Sequence, residues 1–587
     1  MQKILIPNSI KSSFLGTMFT IGALLVPQNV LARPHGGNVL LEHGSGREYA
    51  AAITGSYAQA LGDPLMAARA YERAWERNKS DTFMFSRMVQ AYLIAGDLDN
   101  AIRVAKSVDV SFLTSEAKMA LAADALIAGR HSEVNRYLEQ INLPSARGLY
   151  ARQLQAWALV MDRKKEEAIV LAARASGNRN VDRNANFSRA LLYQYLGDDD
   201  NALIAYTTAY DAGARASIGI VAYARYLNSH RQKEKALEIL TEAGPQSDAP
   251  LWLQSVQQEI VSQRRAPRPI RGNADNIKSF IAQSLGTIAI GIAGDPRLGS
   301  PLAELAIADR FDNNLNVLDF QSARILYAIG YKDAAITRLA QVPADSALGD
   351  AANTLRSNLV FEDNKDEGEK IALDAATARP NPNNRFNLAT LYLMRKKYSD
   401  SQRIYDGLIA EIGTKTEAET GIAPWLLFNN RAHALVEQDK VEEAIADLRH
   451  AMTLETDNSV LLNALGYTLA DNNRNLEEAL GYLNEALRLN PRSADITDSL
   501  GWVLFRLGRY PEAMDKLEAA VALNPNSAVV IEHLGDVYWR TNREVEARME
   551  WRKAATVFDD ADDKARVNGK VENGLPALPT TANIQTN

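Results

Sequence analysis

The chain of 587 residues contains no cysteine. Disulfides, thiolate metal sites, a cysteine nucleophile and a lipid-bearing N-terminal cysteine are all excluded by that one absence. Histidine is scarce as well. Its seven occurrences, His35, His43, His131, His230, His433, His450 and His533, are scattered, and no pair has metal-ligand spacing. A basic excess is missing: 65 Lys and Arg against 72 Asp and Glu leave a formal charge of −7, the wrong sign for a general nucleic-acid binder. No G-x-S-x-G elbow, phosphate-binding glycine loop or dinucleotide fingerprint occurs. The stretch "EHGSGRE" at Glu42–Glu48 combines His, Ser and Gly, but its place just behind the leader marks it as lead-in. These absences lead to the expectation of a non-enzyme, with no catalytic residues, no cofactor and no metal.

Long apolar runs are also missing. The N-terminal run Phe14–Val26 has 13 residues, short of the roughly 20 that a membrane-spanning helix needs. Lys3 and Lys11 precede it, Pro27 breaks it, and Val30 and Ala32 supply small residues at the −3 and −1 positions of a cleavage site. That order is the order of a secretory signal peptide over residues 1–32. The expected product is periplasmic and soluble, with no stable membrane span and no anchor through cysteine.

What the sequence does have is a period. "NALGYTLADNNRNLEEALGYLNEALRLNP" from Asn463, "DSLGWVLFRLGRYPEAMDKLEAAVALNP" from Asp498 and "EHLGDVYWRTNREVEARMEWRKAATVF" from Glu532 align with one another. Gly466, Gly501 and Gly535 occupy one position, and Ala479, Ala513 and Ala547 recur 34 residues apart. Leu483, Leu517 and Trp551 follow, then Ala486, Ala520 and Ala554, with Pro491 and Pro525 closing two copies. A 34-residue period with small residues at these offsets reads as a helix–turn–helix solenoid. Glycine inside a helix costs about 1 kcal/mol relative to alanine, so Gly501 needs a reason. Facing Ala513 and Ala520, it lets two helix backbones come close. Gly508 is expected to end the first helix in the left-handed conformation, and Pro525 to turn the chain into the next unit. Paired carboxylates at Glu442/Glu443 and Glu477/Glu478 fall at second-helix starts, where the helix dipole favours them.

The three copies resemble the tetratricopeptide repeat (TPR) family. The resemblance implies an all-α solenoid, a right-handed superhelix of antiparallel helix pairs. Weaker copies fit Gly62, Ala67, Tyr71 and Ala74; Gly96, Ala101 and Ala105; Gly197, Ala202, Tyr206 and Ala209; and Leu388, Ala389, Tyr392 and Tyr405. In Asn430–Met452, Ala444, Leu448 and Ala451 fit one residue out of step, because "DNNRN" carries an insertion. The organisation read from this is a lead-in over 33–47, N-terminal repeats over 48–262 and an Arg/Pro linker over 263–274. Degenerate central repeats follow over 275–420, then C-terminal repeats over 421–558. The tail, 559–587, opens as a capping helix and is otherwise expected to be disordered. "SFIAQSLGTIAIGIAG", at Ser279–Gly294, is the most apolar stretch after the leader and reads as a buried helix.

In this family the first helices of the repeats line a concave groove. By that register the groove of this chain would present Asn429, His433, Asn463, Tyr467, Asp498, Trp502, Arg506, Asp536, Trp539 and Arg540. Trp, Tyr, Arg and Asn suit an extended peptide or a helix of another protein. "NALGYTLADNNRNLEEAL", "ITDSLGWVLFRLGRYPEA" and "EHLGDVYWR" look more particularly like bacterial envelope TPR adaptors of carboxyl-terminal processing proteases, which present cell-wall enzymes for degradation. Those adaptors carry a lipidated cysteine and this chain has none, so membrane anchoring does not carry over. The reading is an exported, non-catalytic scaffold for protein–protein interactions, with such a protease as a partner. The alternative is a structural component of an envelope assembly or polysaccharide-export machine.

Overall fold

The computed structural model describes residues 46–139, 141, 145–244, 249–294 and 300–576, and no strand occurs among them. The expected all-α solenoid of antiparallel helix pairs is what the backbone forms. The candidate signal peptide, 1–32, and most of the lead-in lie outside the described residues, as does the tail beyond 576. Two compact units divide between Ile371 and Ala372.

In the first unit one backbone feature recurs. Gly62, Gly96, Gly129, Arg163, Gly197 and Arg231 each hold a left-handed φ, at 82°, 74°, 73°, 63°, 76° and 64°. Each stands in the turn between the two helices of a pair, 33 or 34 residues from the last. The amide that follows reaches back across the helix end: Asp63 N donates to the Ala58 carbonyl at 2.9 Å and Lys164 N to the Leu159 carbonyl at 2.8 Å. That six-residue closure satisfies carbonyls a helix end would otherwise orphan, and it requires φ > 0 at the turn. Asp63, Asp97 and Asp198 then cap the second helix, each accepting the amide three residues on. Five residues past each turn stands a fully buried side chain: Ala67, Ala101, Val134, Ala168, Ala202 and Ala236.

After Lys233–Ala243 the pairing lapses: Pro250–Ser262 is followed by the non-helical 263–274. Ile277–Ala293 is a single helix apolar on nearly every side, and a helix of that kind must be buried. It packs on Ala146–Met161, Arg179–Leu196 and Ser217–Ser229, the first helices of three successive pairs. Small residues let it sit close. A β-carbon on Gly286 would lie 2.7 Å from Ile218 Cδ1, and one on Gly291 3.2 Å from Asn184. Trp157 Nε1 donates to Ser284 Oγ at 3.1 Å. Leu302–Asp309 continues the cover onto Thr82–Ile94 and Ser115–Ile127. Tyr150 donates to the Glu304 carbonyl at 2.6 Å, and Arg147 pairs with the buried Glu304 carboxylate at 2.9 Å. Five first helices, from Thr82–Ile94 to Ser217–Ser229, are thus covered by the chain's own helices. A further pair, Val317–Ala328 and Lys332–Leu339, turns at Gly330.

The Arg/Pro stretch 263–274 is non-helical. It lies within this unit, against the end of Arg179–Leu196. Gly272 N donates to the Tyr195 carbonyl at 3.2 Å, Gln194 Nε2 to the Ile270 carbonyl at 3.2 Å, and Arg271 pairs with Asp199 at 3.2 Å.

The second unit repeats the same device. Its pairs are Pro382–Met394 with Tyr398–Ile412, Pro424–Val436 with Val441–Leu454, Ser459–Asp471 with Leu476–Leu489, Ala494–Arg506 with Tyr510–Leu523, and Ala528–Arg540 with Glu544–Val557. Lys396, Asp439, Asn473, Gly508 and Asn542 are the left-handed turn residues. The insertion in "DNNRN" is absorbed there, since Asn475 is left-handed too, at φ 39°. The helical glycines lie on the seams, as expected. A β-carbon at Gly466 would sit 2.6 Å from Leu483 Cγ, at Gly501 2.6 Å from Leu517 Cγ, and at Gly535 2.5 Å from the Trp551 ring. The Ala513 carbonyl lies 3.3 Å from the Gly501 position, but Leu517 is what Gly501 meets first, ahead of the expected Ala520. A last helix, Ala561–Asn573, packs on Glu544–Val557. Its Gly569 stands 34 residues after Gly535, so it occupies a first-helix position.

Candidate functional site

The residues assigned to the groove fall on the first helices of the second unit, seven of the ten in two rungs per helix, with Arg506, Trp539 and Arg540 further along. Three residues before the seam position stand Asn429, Asn463, Asp498, Glu532 and, on the closing helix, Arg566. One residue after it stand His433, Tyr467, Trp502, Asp536 and Lys570. Of the predicted set, Asn429, His433, Asn463, Tyr467, Asp498, Trp502 and Asp536 are buried, while Arg506, Trp539 and Arg540 are half-buried.

Neighbouring repeats engage one another through these rungs. Trp502 is 5% exposed. Its ring stacks on His533 of the next repeat at 4.2 Å and on Phe505 at 5.0 Å, and its Nε1 donates to Asp471 of the previous repeat at 3.3 Å. The Arg506 guanidinium stands over the same ring, 5.8 Å from its centroid. His533 Nδ1 lies 2.8 Å and 3.0 Å from the two Asp498 oxygens. Burial alone would lower the His533 pKa, but the Asp498 carboxylate outweighs it and the net shift is upward. Arg431 donates to Asp406 of the previous repeat at 2.8 Å and is held within its own repeat by a bidentate pair with Asp447, at 2.7 Å for each bond.

The last repeat carries two acids in a row. Glu532 pairs with Lys570 at 2.6 Å and with Arg566, and Asp536 pairs with Lys570 at 2.7 Å. Trp551 Nε1 also donates to Asp536, at 2.8 Å. Burial pushes the Asp536 carboxyl up in spite of Lys570. For Glu532 burial acts in the same direction, but Lys570 and Arg566 outweigh it and the net shift is downward. Lys570 itself is raised, because the two carboxylates outweigh burial. Trp539 packs on Trp551 at 5.5 Å, under Arg548 and against Gly574. Ahead of the closing helix, Asp560 pairs with Lys396 of the unit's first turn at 2.6 Å.

Sequence reasoning did not assign Glu532, His533, Arg566 or Lys570. A signal was present: Arg566 follows Glu532, and Lys570 follows Asp536, by one period of 34 with opposite charge. Several buried polar atoms of the row have no hydrogen-bond partner among the described residues, among them Asn429 Oδ1, Asn463 Oδ1 and His533 Nε2. The two asparagines stand one period apart, 34 residues. Among the described residues no group of three or more His, Asp or Glu side chains is placed to hold a metal ion, and no helix is long and apolar enough to cross a membrane.

Residues 463–528 match the tetratricopeptide repeat family, which covers the most regular stretch of this row. The TPR repeat-containing protein PA4667 of Pseudomonas aeruginosa is 45% identical over 67 residues, and the match spans 11% of this chain and 11% of that protein's length. Among solved structures, a tetratricopeptide repeat protein from Parabacteroides merdae superposes with a TM-score of 0.37 at 13% identity, over 44% of this chain and 99% of that one. Yeast Tom70 does so at 0.33 and 13% identity, over 90% of this chain and 95% of its own.

Proposed function

We propose that the protein is a non-catalytic TPR scaffold that recruits other proteins, and that it works in the cell envelope as an adaptor for a carboxyl-terminal processing protease acting on cell-wall enzymes. The observation that carries the scaffold reading is the in-register array at 424–557, whose most regular stretch matches the tetratricopeptide repeat family. Envelope location is supported by the order of charge, apolar run and small residues in Met1–Ala32. The protease partnership is supported by the detailed likeness of Trp425–Phe558 to envelope adaptors. In the array, the half-buried Arg506, Trp539 and Arg540 would meet the partner at the edge of the row.

The test is cross-linking in intact cells that express the tagged full chain, followed by purification from the envelope fraction and mass spectrometry. A processing protease recovered together with cell-wall hydrolases is the expected result. Recovery of outer-membrane pore or glycan-export subunits instead would overturn the adaptor role in favour of a structural component. A chain that stays in the cytoplasmic fraction would overturn the location.

A further inference from the structure

The junction between two repeats of the first unit holds a pocket of about 400 Å³. It opens between the end of Lys165–Ala172 and the start of Arg179–Leu196. Arg174, Arg179, Arg183 and Arg189 line it, with Asp182 as the one carboxylate in the lining. Asp182 is already engaged, accepting the Ser176 amide at 2.6 Å and the Gly177 amide at 3.1 Å. Among the described residues, Arg174, Arg179 and Arg183 have no hydrogen-bond or ion-pair partner for their guanidinium groups, and Arg189 is held only by the Asn186 amide.

A second observation stands behind the lining. Arg152 is 3% exposed, and its Nη2 donates to the carbonyls of Arg174 and Ala175 at 2.9 Å and 3.0 Å. Its Nε has no partner. A fifth guanidinium is thus buried directly under the loop that carries Arg174. Burial, and after it the charge of Arg174, lowers its pKa. Five guanidinium groups around the single Asp182 carboxylate leave a net positive charge, which an anion would relieve.

Geometry decides which anion. Arg179 and Arg189 are ten residues apart on one helix, so they are separated by about 15 Å along its axis. A single phosphate or pyrophosphate reaches one end of such a row. In an extended peptide, alternate side chains are about 7 Å apart, so three carboxylates at i, i+2 and i+4 span about 13 Å. The floor, with Ala172, Ala173, Ala175 and Ala185, presents methyl groups that let a main chain lie close. We propose that this pocket is a docking site for an extended acidic segment of a partner protein, its Asp or Glu side chains clasped by Arg174, Arg179, Arg183 and Arg189. Guanidinium forks suit carboxylates, binding them through two parallel hydrogen bonds. The inference rests on the scaffold reading and adds to it the chemistry of one partner segment.

The test uses the full chain and a fluorescein-labelled peptide, Asp-Ala-Asp-Ala-Asp-Ala, followed by fluorescence anisotropy in 50 mM NaCl. Saturable binding is expected, weakened about ten-fold or more by Arg174→Gln with Arg179→Gln. Both arginines are exposed, so glutamine leaves the fold intact, which circular dichroism verifies. Arg264→Gln with Arg265→Gln, in the exposed Arg/Pro stretch, is expected to leave affinity unchanged. Equal loss in that control would overturn the proposal, because binding would then be diffuse charge attraction. No binding of the peptide would overturn it too, and so would inorganic pyrophosphate binding this pocket more tightly than the peptide. Recovery of partners from the envelope reads out separately, so failure here and failure of the scaffold reading are distinguishable.

Discussion

Gly535 and Gly569 hold the same place in the repeat, 34 residues apart, and replacing each by alanine is expected to change stability in opposite directions. Alanine is favoured over glycine inside a helix by about 1 kcal/mol. At Gly569 nothing opposes that gain, because a β-carbon there would meet no atom within 4 Å. At Gly535 the β-carbon would lie 2.5 Å from Trp551 Cδ1 and Nε1, and 3.2 Å from the Ala547 carbonyl. Trp551 is fully buried, so its ring has nowhere to go. Overpacking costs about 1–3 kcal/mol. Displacing the indole also endangers its 2.8 Å bond to the buried Asp536, and a hydrogen bond to a charged group is worth about 1.5–3 kcal/mol. Set against the propensity gain, Gly535→Ala should therefore cost about 2–4 kcal/mol. Hydrogen exchange by mass spectrometry on peptides within 528–573 reads this locally, without assuming that the whole chain unfolds in one step. A loss near 3 kcal/mol should speed exchange there about 100-fold, and Gly569→Ala should slow it in the closing helix. If Gly535→Ala slowed exchange as well, the close approach of the two helices would be refuted.

Removal of the Lys570 ammonium is expected to detach the closing helix. Lys570→Met leaves the buried Asp536 without its cation, a change that costs about 3–5 kcal/mol. Residues 561–573 should then exchange as an unprotected segment at pH 7, with partial recovery on acidification as Asp536 takes up a proton. Full protection at pH 7 would show that the ion pairs do not hold the helix. Trp502→Ala should lower stability by about 3–5 kcal/mol, because the indole is clasped between His533 and Phe505; a urea midpoint within error of wild type would place the ring outside the packing. His533 supplies a pH signature. Its pKa is raised in the fold, so its contribution is fully present below the unfolded value of about 6.5 and is lost as pH rises through the folded value. The stability gap between wild type and His533→Gln should shrink from pH 6 to pH 9, and a gap constant over that range would contradict the Asp498 pairing.

Legibility in the sequence followed the physics of each position. Gly466, Gly501 and Gly535 could be read because a helical glycine has a cost that only close approach offsets. Gly62, Gly96 and Gly197 announced their turns for a related reason, since left-handed φ favours glycine. Three pairs of that row stayed hidden: Gly129 is followed five residues on by Val134 where the legible copies have alanine, and Arg163 and Arg231 hold the same conformation with a side chain that signals nothing. The fully buried Ala168 and Ala236, five residues on, are what preserve the packing there. In the second unit, Trp502, Asp498 and Asp536 were placed on the first-helix row correctly by register. His533, the partner of Trp502 and Asp498, lies in the next repeat, and register alone does not rank a neighbouring repeat above a ligand; for Asp536 the opposite charge of Lys570 one period on was the signal that register left unused.

The helix Ile277–Ala293 shows where family register stops being a guide to function. A row of first helices binds whatever buries its apolar and polar groups best, and in the first unit that occupant is a segment of the same chain. Its Ser284, Gly286 and Gly291 meet Trp157, Ile218 and Asn184 as a foreign peptide would, with the difference that its effective concentration is set by the tether. A free partner must outcompete a tethered, already buried helix to enter that row. The second unit spends no comparable segment on its own row: among the described residues its first helices are bridged by side-chain pairs between repeats, and the closing helix supplies Arg566 and Lys570 at the last one only. Recruitment through a first-helix row is therefore a property to seek in residues 424–557, whereas in the first unit the surfaces left for partners are the junctions between repeats, and there Arg174, Arg179 and Arg183 stand around the single Asp182 carboxylate.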